Sequence, residues 1–479
     1  MLSFPIDAKK ETPLYEQIYL NIQKYILDGT LPAKTKLPST RSLSANLGVS
    51  RNTVDTAYYQ LQAEGYIDSA PKSGFFVCEI LPSPLMQLPK EATTAEEKSP
   101  VAIPGSSATA TGTLPPVDYD FSPMAVDISR FPYSVWRKLS KDCLNDQQEL
   151  FLSGNHYGDL PLRQAITGYI RTSREVVCRP EQVIIGAGVD YLLQMLSLLF
   201  RHLQLTEIVM ENPGYIQAAY IFQNNGLHNI PCSLDTKGLS LHSVPKDCKI
   251  LYVTPSHQYP LGSVMPVGRR QELLNWANRQ ENRYIIEDDH DSEFRYKGKP
   301  IPSLQGLDRQ HVIYIGTFSK AIAPAIRVGY MVLPPSLEQA YAAVCDHYSC
   351  TVSRLEQAIL THFLSDGYFE KHVNRMRKIY KAKHDTLLSQ LQPLLKKHHL
   401  KIHGDNAGMH LVVELPKQIS EEAFIANARR RGVQLYGLKE HYLDTSNALS
   451  AILLGYSNLS DTEITEGIHR LAQLLEETS

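Results

Sequence analysis

The stretch GTFSKAIAPAIRVGY, Gly316 to Tyr330, decides how the larger part of this chain folds. An apolar run, His311-Val312-Ile313-Tyr314-Ile315, enters it in the manner of a buried strand. Lys320 follows, with Thr317 and Ser319 just before it and Arg327 seven residues after it. A lysine amine forms a Schiff base with an aldehyde, and two hydroxyls with a guanidinium make a cradle for a phosphate dianion. Pyridoxal 5'-phosphate (PLP) carries both groups. Taken alone, a Ser-Lys pair after a strand also fits a solvated loop, and only neighbouring motifs separate the two.

Those motifs lie on both sides of it. EQVIIGAG (181–188), EIVMENPG (207–214), KILYVTPS (249–256), RYIIEDD (283–289) and VGYMVLP (328–334) are short apolar runs punctuated by turn residues and alternating with helical patterns. The alternation predicts a mostly parallel sheet wrapped by helices, with its chemistry beyond the carboxyl ends of the strands. Asp288 closes RYIIEDD, where a buried carboxylate facing a pyridine nitrogen would keep that nitrogen protonated. An acidic loop is the plainer reading of EDDHDSE. A metal site from Asp288, Asp289, His290 and Asp291 is disfavoured because consecutive residues at a strand end point to alternating sides, so no metal is expected. Gly186 and Gly188 precede a helix with Leu192, Met195, Leu196 and Leu199 on one face, and free N–H groups at a helix start bind phosphate. Tyr215 in ENPGYIQ offers a ring to stack on a planar ligand or simply packs on the core; Tyr157 in NHYGDLPLRQAI is equally open.

The chain has 479 residues, enough for two or more domains, and its 48 Lys and Arg nearly balance 50 Asp and Glu. Any nucleic-acid surface must therefore be local. Seven scattered cysteines without a C-x-x-C pair argue against a disulfide framework or zinc site and for a reducing compartment. No run is long enough for a membrane span, and the N-terminus lacks the pattern of a signal peptide, so a cytoplasmic, membrane-free protein is expected.

A Pro-, Ala-, Ser- and Thr-rich stretch without apolar period divides the sequence, giving a head (1–78), a flexible linker (79–117) and a body (118–479). In the head, Leu14, Ile18, Ile22 and Ile26 mark the buried stripe of a first helix. Ser39 caps a second that Gly48 closes, and Ser50 caps a third whose Val54, Ala57, Tyr58 and Leu61 face inward. GYIDSAPKSGFFV (65–77) reads as a β-hairpin with a basic tip. Helix, helix-turn-helix and hairpin make a winged helix-turn-helix. Its third helix fits a major groove and its tip can touch the backbone or minor groove, which makes Arg51, Asn52, Thr53 and Lys72 candidate DNA contacts. An accessory or dimerisation domain would also hold three helices and a hairpin, but need not present them complete and in this order.

The segment KLPSTRSLSANLGVSRNTVDTAYYQLQAEGYI (36–67) resembles the GntR family of bacterial regulators, which implies that Arg41, Arg51 and the wing face DNA. The body resembles the fold-type-I, class I aminotransferases through its Y-G-D, N-P-G-Y, PSHQYPLG, Asp after IIE and Ser-Lys with Arg seven later, all in the family's order. That resemblance implies Lys320 as the Schiff-base lysine, Asp288 as the pyridinium partner and Tyr215 as the stacking ring. It implies Ala187, Gly188, Ser319 and Arg327 around the phosphate, and Tyr157 reaching the phosphate of a neighbouring subunit in a homodimer. The two together are the arrangement of the MocR-type regulators, in which a transferase fold serves as receptor.

Several positions depart from the pattern. Where an arginine would hold a substrate carboxylate the chain has Leu453 and Asn458, and where a second cation is expected it has Gln217. Each missing charge-assisted hydrogen bond is worth about 1.5–3 kcal/mol, so weak amino-acid affinity is expected. His290 replaces a tyrosine that serves the cofactor's phenolic oxygen; imidazole can do the same or be a tolerated substitute. The expected function is a promoter-binding regulator that senses PLP, similar to the PdxR regulators of vitamin B6 synthesis. Sensing of an amino acid or amine such as GABA ranks second, and an active aminotransferase with a DNA-binding head third.

Overall fold

The computed structural model describes residues 4–6, 12–70, 74–78, 116–146, 148–296, 301–405 and 407–478. Most of the expected linker and the hairpin tip with Lys72 lie outside the described residues. The chain forms two compact units, Met1–Ala110 and Thr111–Ser479.

In the first unit α1 (Leu14–Leu27), α2 (Thr40–Leu47) and α3 (Arg51–Ala63) pack around Ile18, Ile22, Leu43, Val54, Ala57 and Leu61. Both expected caps form: Ser39 Oγ accepts from the Ser42 N–H at 3.1 Å and Ser50 Oγ from the Thr53 N–H at 3.2 Å. Gly48 ends α2 at φ 68°, so the turn into α3 needs no strained side chain. Buried Tyr58 donates to the Pro38 carbonyl at 2.9 Å, tying α3 to the entry of α2. Strands β1 (Ile67–Ala70) and β2 (Gly74–Val77) pair antiparallel, closing the winged helix-turn-helix.

The second unit opens with β3 (Tyr119–Asp120) and holds an eight-stranded sheet. Its strands are β4 (Val183–Gly186), β5 (Glu207–Asn212), β6 (His228–Asp235), β7 (Gly238–Leu239), β8 (Ile250–Val253), β9 (Tyr284–Asp289), β10 (Val312–Thr317) and β11 (Gly329–Val332). They lie in the order β4-β11-β10-β9-β8-β5-β6-β7. The run β10-β9-β8-β5-β6 is parallel, as expected, and β11 runs antiparallel to both of its neighbours. The reversal follows from the short link between β10 and β11, which holds one helical turn, Pro324–Ile326, where a parallel return needs a full crossover helix. That link carries Lys320.

A smaller antiparallel sheet joins β12 (Ile402–His403), β13 (His410–Glu414), β16 (Ala451–Gly455) and β15 (Tyr436–Gly437), while β14 (Val433–Gln434) pairs with β3. The long helix Tyr368–Lys397 packs Tyr380 and Leu387 into a core shared with Phe121, Leu411 and Leu454. Among the described residues no helix is long and apolar enough to cross a membrane.

The small sheet meets the large one at Gly408, whose φ is +85° and whose missing Cβ would fall within the buried ring of His257. Gly408→Ala is therefore expected to destabilise the second unit by at least about 2 kcal/mol. Thermal unfolding followed by near-ultraviolet circular dichroism checks this; an unchanged melting temperature refutes the packing described.

Candidate functional site

The carboxyl ends of β8, β9 and β10 open on a cavity of about 140 Å³ whose wall includes Tyr215, Asp288, His290, Thr317, Ser319, Lys320 and Arg327. Seven sequence candidates thus converge although they come from separate segments. Lys320 is buried, and its Nζ donates to the Pro123 carbonyl at 2.8 Å. Burial pushes its pKa down to about 8, against the pull of the Asp291 charge. About a tenth of the amine is therefore unprotonated at pH 7, far more than for an ordinary lysine, and that fraction is available as a nucleophile.

Asp288 is also buried. Burial raises its pKa to about 7, opposed by a short hydrogen bond from the Tyr252 hydroxyl and assisted by the charges of Asp289, Asp291 and Asp190. Its Oδ1 has no hydrogen-bond partner among the described residues. A protonated ring nitrogen supplies what is missing there, a donor and a positive charge. Pleat alternation sends Glu287 and Asp289 the other way, to Arg174: its Nε is 2.6 Å from Asp289 Oδ2, and Glu287 lies 4.0 Å from its Nη2. The four residues from 288 to 291 therefore do not gather as one set: Asp288 and Asp289 part, while His290 and Asp291 lie together beside His257.

Asp291 instead holds His257 Nδ1 at 2.9 Å and lies 3.3 Å from His290 Nε2, the latter outside hydrogen-bond geometry. Burial alone would raise the Asp291 pKa, but His257, His290 and Lys320 outweigh it and hold the carboxyl below its usual range. Burial lowers the pKa of His290, whose ring stacks on His257 at 5.7 Å and meets the edge of Tyr259. Tyr215 stands edge-to-face with Tyr259 at 6.0 Å, so a ligand ring over Tyr215 would sit against a rigid aromatic wall.

At the opposite rim, the Thr317 hydroxyl bonds Ser319 Oγ at 3.0 Å and Arg327 leans over Gly188. Gly188 has φ +85°, and a Cβ there would approach Arg327 Nη2 to 2.8 Å, so glycine is required for this closeness. The amides expected to be free are engaged: the Ala187 N–H donates to Thr351 Oγ1 at 2.9 Å and the Gly188 N–H to the Gly186 carbonyl at 2.7 Å. Val189 and Asp190, the first residues of the next helix, border the cavity instead. Tyr157 is absent from this wall; its hydroxyl donates to Asp346 at 2.7 Å.

The candidate carboxylate-binding positions do not line the cavity. Leu453 is fully buried with Val412 and Leu438, Asn458 donates to the Asp120 carbonyl at 3.2 Å, and Gln217 is exposed. In the first unit Arg41, Arg51 and Asn52 are exposed, whereas Thr53 is half-buried and its hydroxyl bonds Ser50 at 2.7 Å, so it serves the cap. Thr56 and Tyr59 continue the exposed face of α3; neither stood out in the sequence.

Comparison with known proteins fits this architecture. Residues 14–77 match the gntR family of bacterial regulatory proteins, and residues 124–471 match the class I and II aminotransferases. Among solved structures an archaeal alanine:glyoxylate aminotransferase is similar, with a TM-score of 0.69 and 25% identity over 75% of this chain and 91% of that one. The body is thus a fold-type-I aminotransferase domain, a PLP fold, and PLP is its cofactor. Over nearly the whole length, the chain is 34% identical to the probable rhizopine catabolism regulatory protein MocR of Rhizobium meliloti, covering 97% of this chain and 94% of the relative. It is 30% identical to the pyridoxine biosynthesis transcriptional regulator PdxR of Corynebacterium glutamicum, with 95% of each covered. The chain belongs to the MocR-type branch of the GntR transcription regulators.

Lys320 is expected to react with a small aldehyde, trapped by borohydride, at a rate rising with pH to a midpoint near 8. An ordinary lysine has its midpoint near about 10.4. Mass-spectrometric quantification of the modified peptide across pH decides between the two.

Proposed function

We propose that this regulator senses PLP itself and controls genes of vitamin B6 synthesis. The observation that carries the reading is the distribution of charge in the cavity. Its described wall offers Lys320 and Arg327, which suit an aldehyde and a phosphate, and no further lysine or arginine for a substrate carboxylate. The name of the PdxR relative points the same way. On this reading PLP supplies an aldehyde that an amine captures covalently. Lys320 is that amine, kept reactive by burial. Asp288 accepts from the ring nitrogen through Oδ1, Tyr215 backs the ring, and His290 lies within the same wall to orient it. Thr317, Ser319 and Arg327 hold the phosphate end, at the start of the helix that follows Gly188.

We further infer a homodimer in which Tyr157 serves the neighbour's site. Tyr157 lies away from its own chain's cavity, and Phe151 and Leu152, shortly before it, are about 70% exposed, an apolar surface that a second copy would cover. DNA is held by α3, with its Arg51 and Asn52, and Arg41 of α2, toward it. A ligand shifts DNA binding only through different affinity for DNA-competent and incompetent states. The body acts as a receptor, since a transferase needs a grip on its amino-acid substrate that this wall does not offer.

With PLP-stripped protein and promoter DNA from the B6 synthesis genes, added PLP is expected to change DNA affinity severalfold, and Lys320→Ala to abolish the response. A PLP-independent affinity that changes only on adding amino acids or amines would refute the proposal in favour of the amine-sensing reading. Arg51 is about 70% exposed. Arg51→Ala should weaken binding to all sequences and reduce the salt dependence of log K by roughly 0.9, read from a salt titration of DNA affinity.

A further inference from the structure

Arg327 is not an idle cation waiting for an anion. Its Nη2 donates to Asp190 Oδ2 at 2.8 Å and reaches toward the Ala187 carbonyl at 3.4 Å. Asp190 is the second residue of the helix Val189–His202 and borders the same cavity as Thr317 and Ser319. The ion pair is half exposed on both sides, 51% for Arg327 and 46% for Asp190, so water weakens it and an incoming anion can displace it. After displacement the carboxylate stays where it was, fixed on the first turn of a helix. A phosphate ester carrying about −1.5 to −2 charges then meets one guanidinium and one carboxylate, whose fields nearly cancel. Val189, beside Asp190, brings no hydroxyl. What remains attractive is the hydroxyls of Thr317 and Ser319 and the amides of the helix start.

We propose that Asp190 is a built-in competitor for the phosphate group of PLP, holding affinity low enough for occupancy to follow the free concentration. This rests on the reading of PLP as the effector. An enzyme gains from keeping its cofactor permanently, whereas a sensor needs to release it, and a carboxylate on the phosphate's own arginine is a direct way to obtain release.

The test compares Asp190→Asn and Asp190→Ser with the parent protein, reading the dissociation constant from the absorbance of the Lys320-bound chromophore. PLP is used alongside pyridoxal, which has the aldehyde and ring but no phosphate. Both variants are expected to bind PLP at least about tenfold more tightly and pyridoxal as the parent does. Unchanged PLP affinity in both variants overturns the proposal. So does an equal gain for pyridoxal, because it places the effect at the lysine end. A parent protein that takes up no PLP at Lys320 brings down both the sensing reading and this inference, whereas uptake with indifferent variants brings down the inference alone.

Discussion

Glu287, Asp288 and Asp289 stand side by side at the end of a strand buried on both faces, and burying a carboxylate without compensation is far costlier than a domain's whole stability margin. The pleat splits them. Glu287 and Asp289 share Arg174, itself fixed in a buried network with Ser256, and Tyr314 donates to Asp289 at 2.6 Å. Asp288, on the other face, receives the Tyr252 hydroxyl and keeps one oxygen unpaired among the described residues. Its raised pKa is the mark of that incomplete compensation. The cavity is shaped around a deficit that a cationic ring nitrogen removes, and the same burial that leaves Asp288 wanting a cation loosens the proton on Lys320. One desolvated pocket thus prepares an acid and a base for opposite ends of one ligand.

How much of this was legible in the sequence follows from what kind of contact each residue makes. Lys320, Asp288, Thr317, Ser319 and Arg327 each close or follow an apolar run, and strand ends on one side of a parallel sheet must gather, so their meeting could be read from pattern alone. Tyr252 and Asp291 could not, because one lies inside an apolar run and the other among four acids; the pairing of β8 with β9 brings Tyr252 to Asp288, and the loops beyond those strands bring Asp291 to His257. The engagement of Ala187 by Thr351 joins residues 164 positions apart and has no local signal. In the first unit the caps at Ser39 and Ser50 were legible because capping is local. The diversion of Thr53 into the second cap was harder to see, since Ser50 satisfies the pattern by itself. The reversal of β11 was legible in principle: the link is too short for a crossover.

A receptor asks less of this fold than an enzyme does. Turnover requires a site that binds substrate, repositions it and releases product, and the described wall of this cavity holds no lysine or arginine besides Lys320 and Arg327. Strand β16 commits Leu453, where an arginine would be looked for, to the core with Val412 and Ala451, so the change is one of packing as well as charge. An arginine introduced at that position would have to bury its charge among the aliphatic side chains of Val412, Leu438 and Ala451. Restoring a substrate grip would therefore take repacking of the small sheet rather than a single substitution. On β16 Leu453 lies in an apolar layer with Val412, Leu438 and Ala451, and the charged groups that line the cavity are Asp190, Asp288, Lys320 and Arg327, with His290 beside them.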